Sequence, residues 1–400
     1  MSRLRFLALG GAEEIGASCY YIGTDKAGLL VDCGVRTGLF GEGALPRFEL
    51  LKGLPLRAVL ITHAHIDHLG GLPLLLFLEE VLRIKRKGEG SPIPIPIYAT
   101  TPTVRLSLPM LLDQAKIWRL SGCELLDEGL ATRAAGELIP VEPGEEVEGE
   151  DFRARFIPAG HILGAAYLMV ELDGFKVLFT GDISLTKQGT VSSAELDLHL
   201  AGGVEESRAR VDVVVTESTY GNSILPSRKK EVKALVSQIL TILQRGGRVL
   251  IPSFALGRAQ ELILILLQHI QSGVLPKVPI YLDGLVREIT KVYEALLGYL
   301  PEELKNFQKS SRQPPLLRPP VRLVDDRDRS EIVRERRPCV IITSSGMLYG
   351  GVSPLYAKAI ASEEESGIFL VGYQDEESPG RRLLEAARGM SSSLWEIGSG

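Results

Sequence analysis

The clearest chemical signal in this chain is a histidine-rich segment at residues 62–68, with the sequence THAHIDH. The chain has six histidines, and three of them lie within this segment. An apolar stretch at 58–62 precedes it and is predicted to be a strand, so that one loop can direct several side chains to one point. Imidazole and carboxylate groups are suitable zinc ligands. We therefore predict a catalytic metal site here, with a polar loop or a structural zinc site as the alternatives.

Two distant segments offer further donors for the same site. His161 lies between glycines in the segment GHILG at 160–164, and Asp182 follows the apolar stretch 176–180. Taken alone, a single histidine is more often a core or surface residue, and an aspartate after a strand is more often a turn residue. Beside the loop at 63–68 both are predicted metal ligands, and two such sets of ligands can hold two metals.

The elements that must position these residues change character along the chain. The first half is typical of short strands separated by turns, at 5–10, 19–22, 28–32, 152–158 and 166–172. In the second half, apolar strands at 211–216, 248–252 and 279–283 alternate with helices at 227–245 and 257–271. This alternation indicates βαβ units and a parallel sheet. The segment 142–150 is predicted to be a solvated loop, and 313–337 an exposed connection.

Composition limits the classes of function. Lys and Arg number 45 and Asp and Glu number 50, so the formal net charge is −5 and any nucleic-acid site has to be local. No apolar run approaches the ~18 residues of a membrane span, and no signal peptide is recognised. Four cysteines without a CxxC pair predict reduced thiols and a cytoplasmic location.

The motifs HAHIDH at 63–68, GHILG at 160–164, TGD at 180–182 and VDCG at 31–34 resemble, in order and spacing, those of the metallo-β-lactamase superfamily. That resemblance implies an αββα sandwich with a two-zinc (Zn2+) site at the sheet edge. It implies the following metal ligands: His63, His65 and His161 for one zinc, Asp67 and His68 for the second, and Asp182 as the bridge. We assign catalytic roles to Asp67, His161 and Asp182. Asp32 matches a buried supporting residue beside the site, with a simple turn residue as the alternative.

Motifs of the second half are similar to those of the β-CASP nucleases, namely ribonuclease J and the nuclease subunit of the cleavage and polyadenylation machinery. They are ESTYG at 217–221, GRVLIPSFA at 247–255, GRAQE at 257–261, TSSGML at 343–348 and GYQ at 372–374. The similarity covers nearly all of residues 5–385 and is greatest to bacterial and archaeal members without a KH extension. It implies an inserted β-CASP α/β domain with a parallel sheet flanked by helices. The predicted domains are 1–205 (metallo-β-lactamase), 206–385 (β-CASP) and 386–400 (start of the return to the first domain).

Several residues of these motifs suit phosphate chemistry. Arg258 can offer a bidentate guanidinium, and glycine-flanked strand ends bring backbone N–H groups close to an anion. We predict Arg258, Ser345 and Gly346 as phosphate or RNA ligands. The alternative for Arg258 is an ion pair with Glu261, three residues further along a helix. Glu217 matches the carboxylate of the first β-CASP motif, which implies that it supports the metal-site histidines.

The family pattern continues beyond the GYQ segment, whereas this sequence has no histidine after His269. The resemblance implies a later Ser-x-His-Ala-type motif and a final histidine that completes the second zinc site. We expect a chain truncated with respect to its family, with an incomplete second zinc site as the alternative. Either case leaves the activity of the 400-residue chain itself open.

The resemblance implies a zinc-dependent phosphodiesterase of RNA processing or degradation, which cleaves single-stranded RNA. A metal-bridged hydroxide would attack phosphorus and leave 5′-phosphate and 3′-hydroxyl ends, with RNA in the cleft between the two domains. The alternatives are a DNA-repair nuclease of the same architecture, a small-substrate hydrolase of glyoxalase type, and a non-catalytic RNA-binding scaffold. The intact ligand loop favours catalysis, and the β-CASP motifs argue against a small substrate. No membrane partner is expected, and a homodimer and a monomer both stay open.

Overall fold

The computed structural model describes residues 3–82, 95–194 and 211–389. The chain divides into two compact units, Met1–Thr219 and Tyr220–Gly400. The predicted domain boundary at 205–206 lies outside the described residues and stays a prediction. The same holds for the predicted return at 386–400, of which only 386–389 are described.

The first sheet of unit 1 follows chain order. Its strands are β1 (Arg5–Gly10), β2 (Cys19–Gly23), β3 (Gly28–Val31), β4 (Ala58–Ile61), β5 (Ile97–Thr100) and β6 (Leu138–Val141). β1 to β3 pair antiparallel, and β3 to β6 pair parallel. The helices between the parallel strands are α1 (Ile66–Leu69), α2 (Leu72–Leu82), α3 (Thr101–Leu120) and α4 (Glu128–Gly136). Parallel pairing requires such crossovers, and each returns the chain so that the next strand runs in the same direction.

The second sheet has the order β11-β10-β9-β8-β7. Its strands are β7 (Glu146–Gly149), β8 (Phe152–Pro158), β9 (Ala166–Leu172), β10 (Phe175–Phe179) and β11 (Val213–Val215). Alternate residues of β8, such as Phe156, pack in one core with Leu29 and Leu60 of the first sheet. Burial of each such side chain contributes about 2 kcal/mol. The two sheets therefore lie face to face. The prediction of a loop at 142–150 is wrong, because β7 forms there by pairing with β8.

Unit 2 contains a wholly parallel sheet of order β14-β13-β15-β12-β16. Its strands are β12 (Val249–Pro252), β13 (Ile280–Asp283), β14 (Val321–Leu323), β15 (Val340–Thr343) and β16 (Gly367–Ile368). Its helices are α5 (Arg228–Gln244), α6 (Arg258–Gln271), α7 (Leu285–Ala295), α8 (Glu302–Ser311), α9 (Asp326–Arg334), α10 (Ser353–Ile360) and α11 (Pro379–Ala387). Because all strands run the same way, the loops after β12, β13 and β15 lie at one edge of this sheet.

The segment 313–337 is structured, contrary to its prediction as an exposed connection, since it forms β14 and α9. Two buried polar contacts hold it. Arg248 forms an ion pair with Glu363 and donates to the Ile332 carbonyl (2.8 Å) near the end of α9. Arg329 donates to Asp283 Oδ2 (2.7 Å) at the end of β13. The many charged residues of this segment had indicated that it is exposed to solvent. Its two partners in these contacts, Arg248 and Asp283, are instead buried in unit 2.

Among the described residues, no helix combines the length and the apolar character that crossing a membrane requires.

Candidate metal centre

Four donor groups from three parts of unit 1 meet at one point. His63, His65, His161 and Asp182 each offer a ligand atom, and these atoms lie within 4.8 Å of one another. His65 Nδ1 is 3.1 Å from His63 Nε2 and 3.2 Å from His161 Nε2, and Asp182 Oδ2 is 3.4 Å from His161 Nε2. Three imidazoles and one carboxylate are a donor set that suits zinc. The residues therefore fit the metal that the sequence pattern implies.

A second group of donors adjoins the first through Asp182. His68 Nε2 lies 3.3 Å from Asp182 Oδ1 and 4.0 Å from Asp67 Oδ2. One carboxylate oxygen of Asp182 thus faces His161 and the other faces His68. This arrangement supports the predicted bridging role of Asp182 between two metals.

The loop that carries these histidines is fixed by its close approach to the segment after β3. The Cys33 N–H donates to the His68 carbonyl (2.7 Å), and the Ser18 N–H donates to the Asp67 carbonyl (2.9 Å). A Cβ on Gly34 would lie only 1.6 Å from the Asp67 carbonyl oxygen. Only glycine therefore lets the two segments pack this closely, and this packing sets the position of the ligand loop.

Asp32 is a buried residue that contacts the second group of donors through His68. It is 1% exposed, and its Oδ2 lies 2.7 Å from His68 Nδ1. Its Oδ1 accepts from the Thr62 N–H (2.7 Å), and the Thr62 hydroxyl lies 3.0 Å from His63 Nδ1. A carboxylate on the far nitrogen of a histidine fixes the ring so that the other nitrogen faces the metal. These contacts join Asp32 to the ligand loop, and its role as a supporting residue of a metal site stays a prediction.

The pKa values of two histidines in the site, His63 and His68, are shifted in opposite directions. Burial, with nearby His68, holds the pKa of His63 well below its ordinary value, so His63 stays neutral and keeps a free lone pair. Burial opposes protonation of His68 too, but Asp32 and Asp182 raise its pKa well above the ordinary value. Burial likewise opposes ionisation of Asp182, but its bond to His68 and the other histidines lower its pKa. Asp182 is therefore ionised, as a metal ligand must be.

His161 is held through its backbone. Gln188 Nε2 donates to the carbonyls of Gly160 (3.1 Å) and His161 (2.8 Å), and the Thr100 hydroxyl donates to the Gly164 carbonyl (2.6 Å). Gly160 has φ +72°, and a Cβ there would meet the Ala194 nitrogen at 2.4 Å. Sequence reasoning missed Gln188, because a glutamine that bonds to main-chain carbonyls carries no motif of its own.

Glu217 lies beside the Asp182 loop. Its Oε1 accepts a hydrogen bond from the Ile183 N–H (3.1 Å), one residue after Asp182. This contact fixes the backbone next to the Asp182 carboxylate. Support of the metal-site histidines by Glu217 stays a prediction, and the contact described here acts on Asp182 instead.

The predicted phosphate ligands belong to unit 2 and lie at the carboxyl edge of its sheet. Arg258 is exposed at the first position of α6, after β12. The alternative pairing with Glu261 is wrong, because Glu261 Oε2 accepts from Arg228 (2.5 Å). Within the part of the chain that the structure describes, no carboxylate forms an ion pair with Arg258.

Ser345 and Gly346 form a closed turn after β15. The Ser345 hydroxyl oxygen accepts from the Tyr349 N–H (3.1 Å), and the Ser345 N–H donates to the Gly350 carbonyl (3.3 Å). The Gly346 carbonyl accepts from Gln374 Nε2 (3.1 Å). These groups are engaged within the turn, so their binding of phosphate stays a prediction.

Two family models match this chain, one in each of its two units. Residues 13–215 match the family model described as the metallo-beta-lactamase superfamily, and residues 259–383 match the Beta-Casp domain. A crystal structure of a protein of unknown function from Enterococcus faecalis has a TM-score of 0.51 at 13% identity, and the match covers 94% of this chain and 88% of that one. At that identity the likeness concerns the fold alone.

Several similar curated proteins come from archaea. The transcription termination factor FttA of Methanosarcina mazei is 34% identical over 390 residues, which are 95% of this chain and 58% of that protein. An RNase J-like protein of Methanocaldococcus jannaschii is 32% identical over 381 residues, which are 95% of this chain and 80% of that protein. FttA of Pyrococcus horikoshii is 33% identical, with 96% and 58% covered. The chain thus spans less than two thirds of the length of these FttA proteins.

Proposed function

Since the chain belongs to the metallo-β-lactamase superfamily and carries a β-CASP domain, we propose that it is a zinc-dependent phosphodiesterase that cleaves single-stranded RNA. The superfamily is a group of metal-dependent hydrolases. One observation carries the proposal: the His63, His65, His161 and Asp182 donors converge, and Asp182 connects them to His68. An adjoining pair of donor sets is the arrangement that a two-metal phosphodiesterase needs.

Each donor has a separate task in this proposal. His63, His65 and His161 would hold the first zinc and Asp67 and His68 the second, and Asp182 adjoins both sets of donors. When bound, the metals supply a water of lowered pKa and neutralise charge on the phosphate. Asp32 holds His68 through Nδ1 so that its Nε2 stays directed at Asp182. In unit 2, the exposed guanidinium of Arg258 offers two parallel N–H donors to a phosphate.

The choice of RNA as substrate rests on the relatives. One carries RNase J in its name, and others are named transcription termination factors. We infer 5′-phosphate and 3′-hydroxyl products. These form when the oxygen of an attacking water stays on phosphorus, the bond from phosphorus to O3′ breaks, and O3′ leaves with a proton. Free cysteines, with Cys19, Cys33 and Cys339 buried, support a cytoplasmic setting.

The test measures the zinc content and the substrate preference of the same protein sample. Zinc per chain is measured by elemental analysis, and the same sample is assayed on 5′-labelled single-stranded RNA and on DNA of the same sequence. We expect up to two zinc ions and RNA-selective cleavage. The change His65→Ala should lower both the zinc content and the rate, the rate by more than about 100-fold, because loss of an outer partner alone costs 10- to 100-fold.

His269→Ala is the matched control, since His269 lies on α6 and bonds to the Ile265 carbonyl (2.7 Å), outside the donor set. It should leave zinc content and cleavage unchanged. Zinc-loaded protein that binds RNA without cleaving it would replace the proposal by a scaffold role. Preferred cleavage of DNA would replace it by a DNA nuclease.

A further inference from the structure

The first turns of α5 form a basic surface on a chain that is acidic as a whole. Residues 228–233, with the sequence RKKEVK, carry four cations and one carboxylate, hence a charge of 4 − 1 = +3, against −5 for the whole chain. Lys229, Lys230 and Lys233 are exposed, and Arg228 is partly exposed. Lys229 and Lys233 are four residues apart, so that positive charge repeats at about 6 Å along the helix axis.

One buried carboxylate connects this surface to the start of α6. Glu261 is 3% exposed and accepts from Arg228 (2.5 Å). Arg258 precedes Glu261 by three residues, and side chains at that spacing are neighbours on a helix surface. The ion pair therefore ties Arg228 of α5 to the first turn of α6, the turn that begins with Arg258. Arg258 is exposed, and among the described residues no carboxylate forms an ion pair with it, so that its guanidinium is available to a ligand.

The turn that presents Arg258 is fixed from inside. Gln260 is fully buried, its Oε1 accepts from the Gly257 N–H (2.9 Å), and its Nε2 donates to the Ala255 carbonyl (3.1 Å). Phe254 and Arg258 flank this fixed turn, and both are exposed, Phe254 to 38%. An exposed aromatic residue and an exposed arginine at one turn are residue types that bind single-stranded nucleic acid, since the ring can stack on a base and the guanidinium can contact a phosphate.

We propose that Arg228, Lys229, Lys230 and Lys233 form, with Arg258, a binding surface for the phosphate backbone of single-stranded RNA. The inference rests on the proposed function and adds to it a substrate-holding surface made of residues other than the metal ligands. Three exposed lysines on one helix suit a flexible polyanion, and the ion pair with Glu261 holds Arg228 at the start of this row. Such a surface binds by counterion release and is insensitive to base sequence.

The test measures RNA affinity against salt. Zinc-loaded full-length chain is titrated with a fluorescent 20-nucleotide phosphorothioate RNA, which resists hydrolysis, between about 50 and 300 mM KCl. Single strands release about 0.7 ion per neutralised phosphate. The combined change Lys229→Gln, Lys230→Gln and Lys233→Gln should therefore flatten the log–log salt slope by about 2, and weaken binding at 0.1 M KCl by about 10- to 100-fold.

A charge-matched control removes three lysines elsewhere in unit 2. Lys291→Gln, Lys305→Gln and Lys309→Gln change the net charge by the same amount on α7 and α8, and should leave the slope within about 0.5 of wild type. Equal losses in both triple variants, or an α5 variant with the wild-type slope, would overturn the inference. If the wild type still cleaves RNA in that case, the proposed function stands. A wild type that neither binds nor cleaves RNA would overturn both.

Discussion

Asp182 is the residue on which the two donor sets depend, because its two oxygens face different histidines. Oδ2 lies 3.4 Å from His161 Nε2, and Oδ1 lies 3.3 Å from His68 Nε2. Burial opposes the ionisation of Asp182, but the hydrogen bond to His68 lowers the pKa of its carboxyl group. Asp182 is therefore ionised, and both of its oxygens are acceptors. The backbone bond from Ile183 to Glu217 fixes the loop from its other side. Position and charge of this one carboxylate therefore have separate structural causes.

Gln188 is predicted to hold His161 in its metal-binding position. The change Gln188→Ala removes both donors to the carbonyls of Gly160 and His161, so the loop loses its fixed position. We expect zinc affinity to fall by about 10-fold, in the range known for outer partners of metal ligands. Competition with a chromogenic chelator measures the affinity. Cobalt(II)-substituted protein should also show altered d–d bands, which a loss of general stability would not produce.

The control for this prediction is Gln313→Ala, which removes an exposed glutamine of unit 2. It should bind zinc and cobalt as the wild type does. A Gln188→Ala protein with wild-type zinc affinity and wild-type cobalt bands would show that the His161 loop keeps its position without the amide.

Residues differ in how far sequence can predict their roles. The convergence of His63 and His65 could be predicted because their side-chain chemistry and spacing are themselves the signal, whereas metal binding by Asp67 stays a prediction. Gln188 could not, because its contribution is a pair of hydrogen bonds to main-chain carbonyls that only the folded loop brings within reach. Arg228 escaped prediction for a related reason, since its partner Glu261 is 33 residues away.

At the scale of elements, several strands and helices were predicted from their apolar pattern, whereas the 20-residue helix α3 and some short strands were not. The strand predicted at 5–10 coincides with β1, and the helix predicted at 227–245 corresponds to α5. β7 and β14 have four and three residues and little apolar periodicity. Such strands are stabilised by their neighbours in the sheet, so their own sequence says little about them.

The junction of β13 and α9 should depend on pH through Asp283. Burial opposes its ionisation, but hydrogen bonds from Arg329 and Tyr356 lower the pKa of Asp283 below its ordinary value. A carboxylate whose folded pKa is depressed stabilises the protein above its unfolded pKa, about 3.9, and this contribution is lost as pH falls through the folded pKa. Asp283→Asn should therefore lower the free energy of unfolding by about 2–3 kcal/mol at pH 7, and by clearly less at pH 3.

Urea unfolding followed by circular dichroism at pH 7, 5 and 3 measures this difference. Asp326→Asn is the matched control, because Asp326 pairs with the same Arg329 but its side chain is 83% exposed. Exposed pairs contribute little, so this variant should stay within about 0.5 kcal/mol of wild type at each pH. An Asp283→Asn effect of equal size at pH 3 and pH 7 would contradict an ionic cause.

At the scale of the whole molecule, family and fold class were predicted from the order of the motifs, and both are confirmed by the two family models. The position at which unit 1 ends and unit 2 begins was not predicted. The two units meet between Thr219 and Tyr220, which lie inside the ESTYG motif and not at a change in composition. A motif shared by a family marks chemistry rather than a domain edge. The contact of Glu217 with Ile183 shows why, because it keeps the first part of that motif in unit 1.

The distribution of metal donors predicts which unit zinc stabilises. His63 and His65 follow β4, His161 follows β8, and Asp182 follows β10, so one bound metal ties loops of both sheets of unit 1 together. An unfolded chain does not assemble this set, and zinc at 100 times its Kd therefore adds about 2.7 kcal/mol to the stability of the folded unit. Hydrogen exchange followed by mass spectrometry should show slower exchange on zinc addition at 58–69 and 157–182. Segment 249–283 of unit 2 should change little, because no donor of the set belongs to it.

Two variants decide whether this protection comes from the described donors. His65→Ala should abolish the zinc-dependent slowing at both segments of unit 1, including 157–182, which lies far from the substitution in sequence. His269→Ala should retain it, since that histidine bonds within α6. Equal slowing at 249–283 in the wild type would mean that zinc also binds elsewhere, and slowing that survives in His65→Ala would mean that the convergent donors are not the site that binds it. Slowing confined to unit 1 and lost in His65→Ala would instead show that distant loops share one ion.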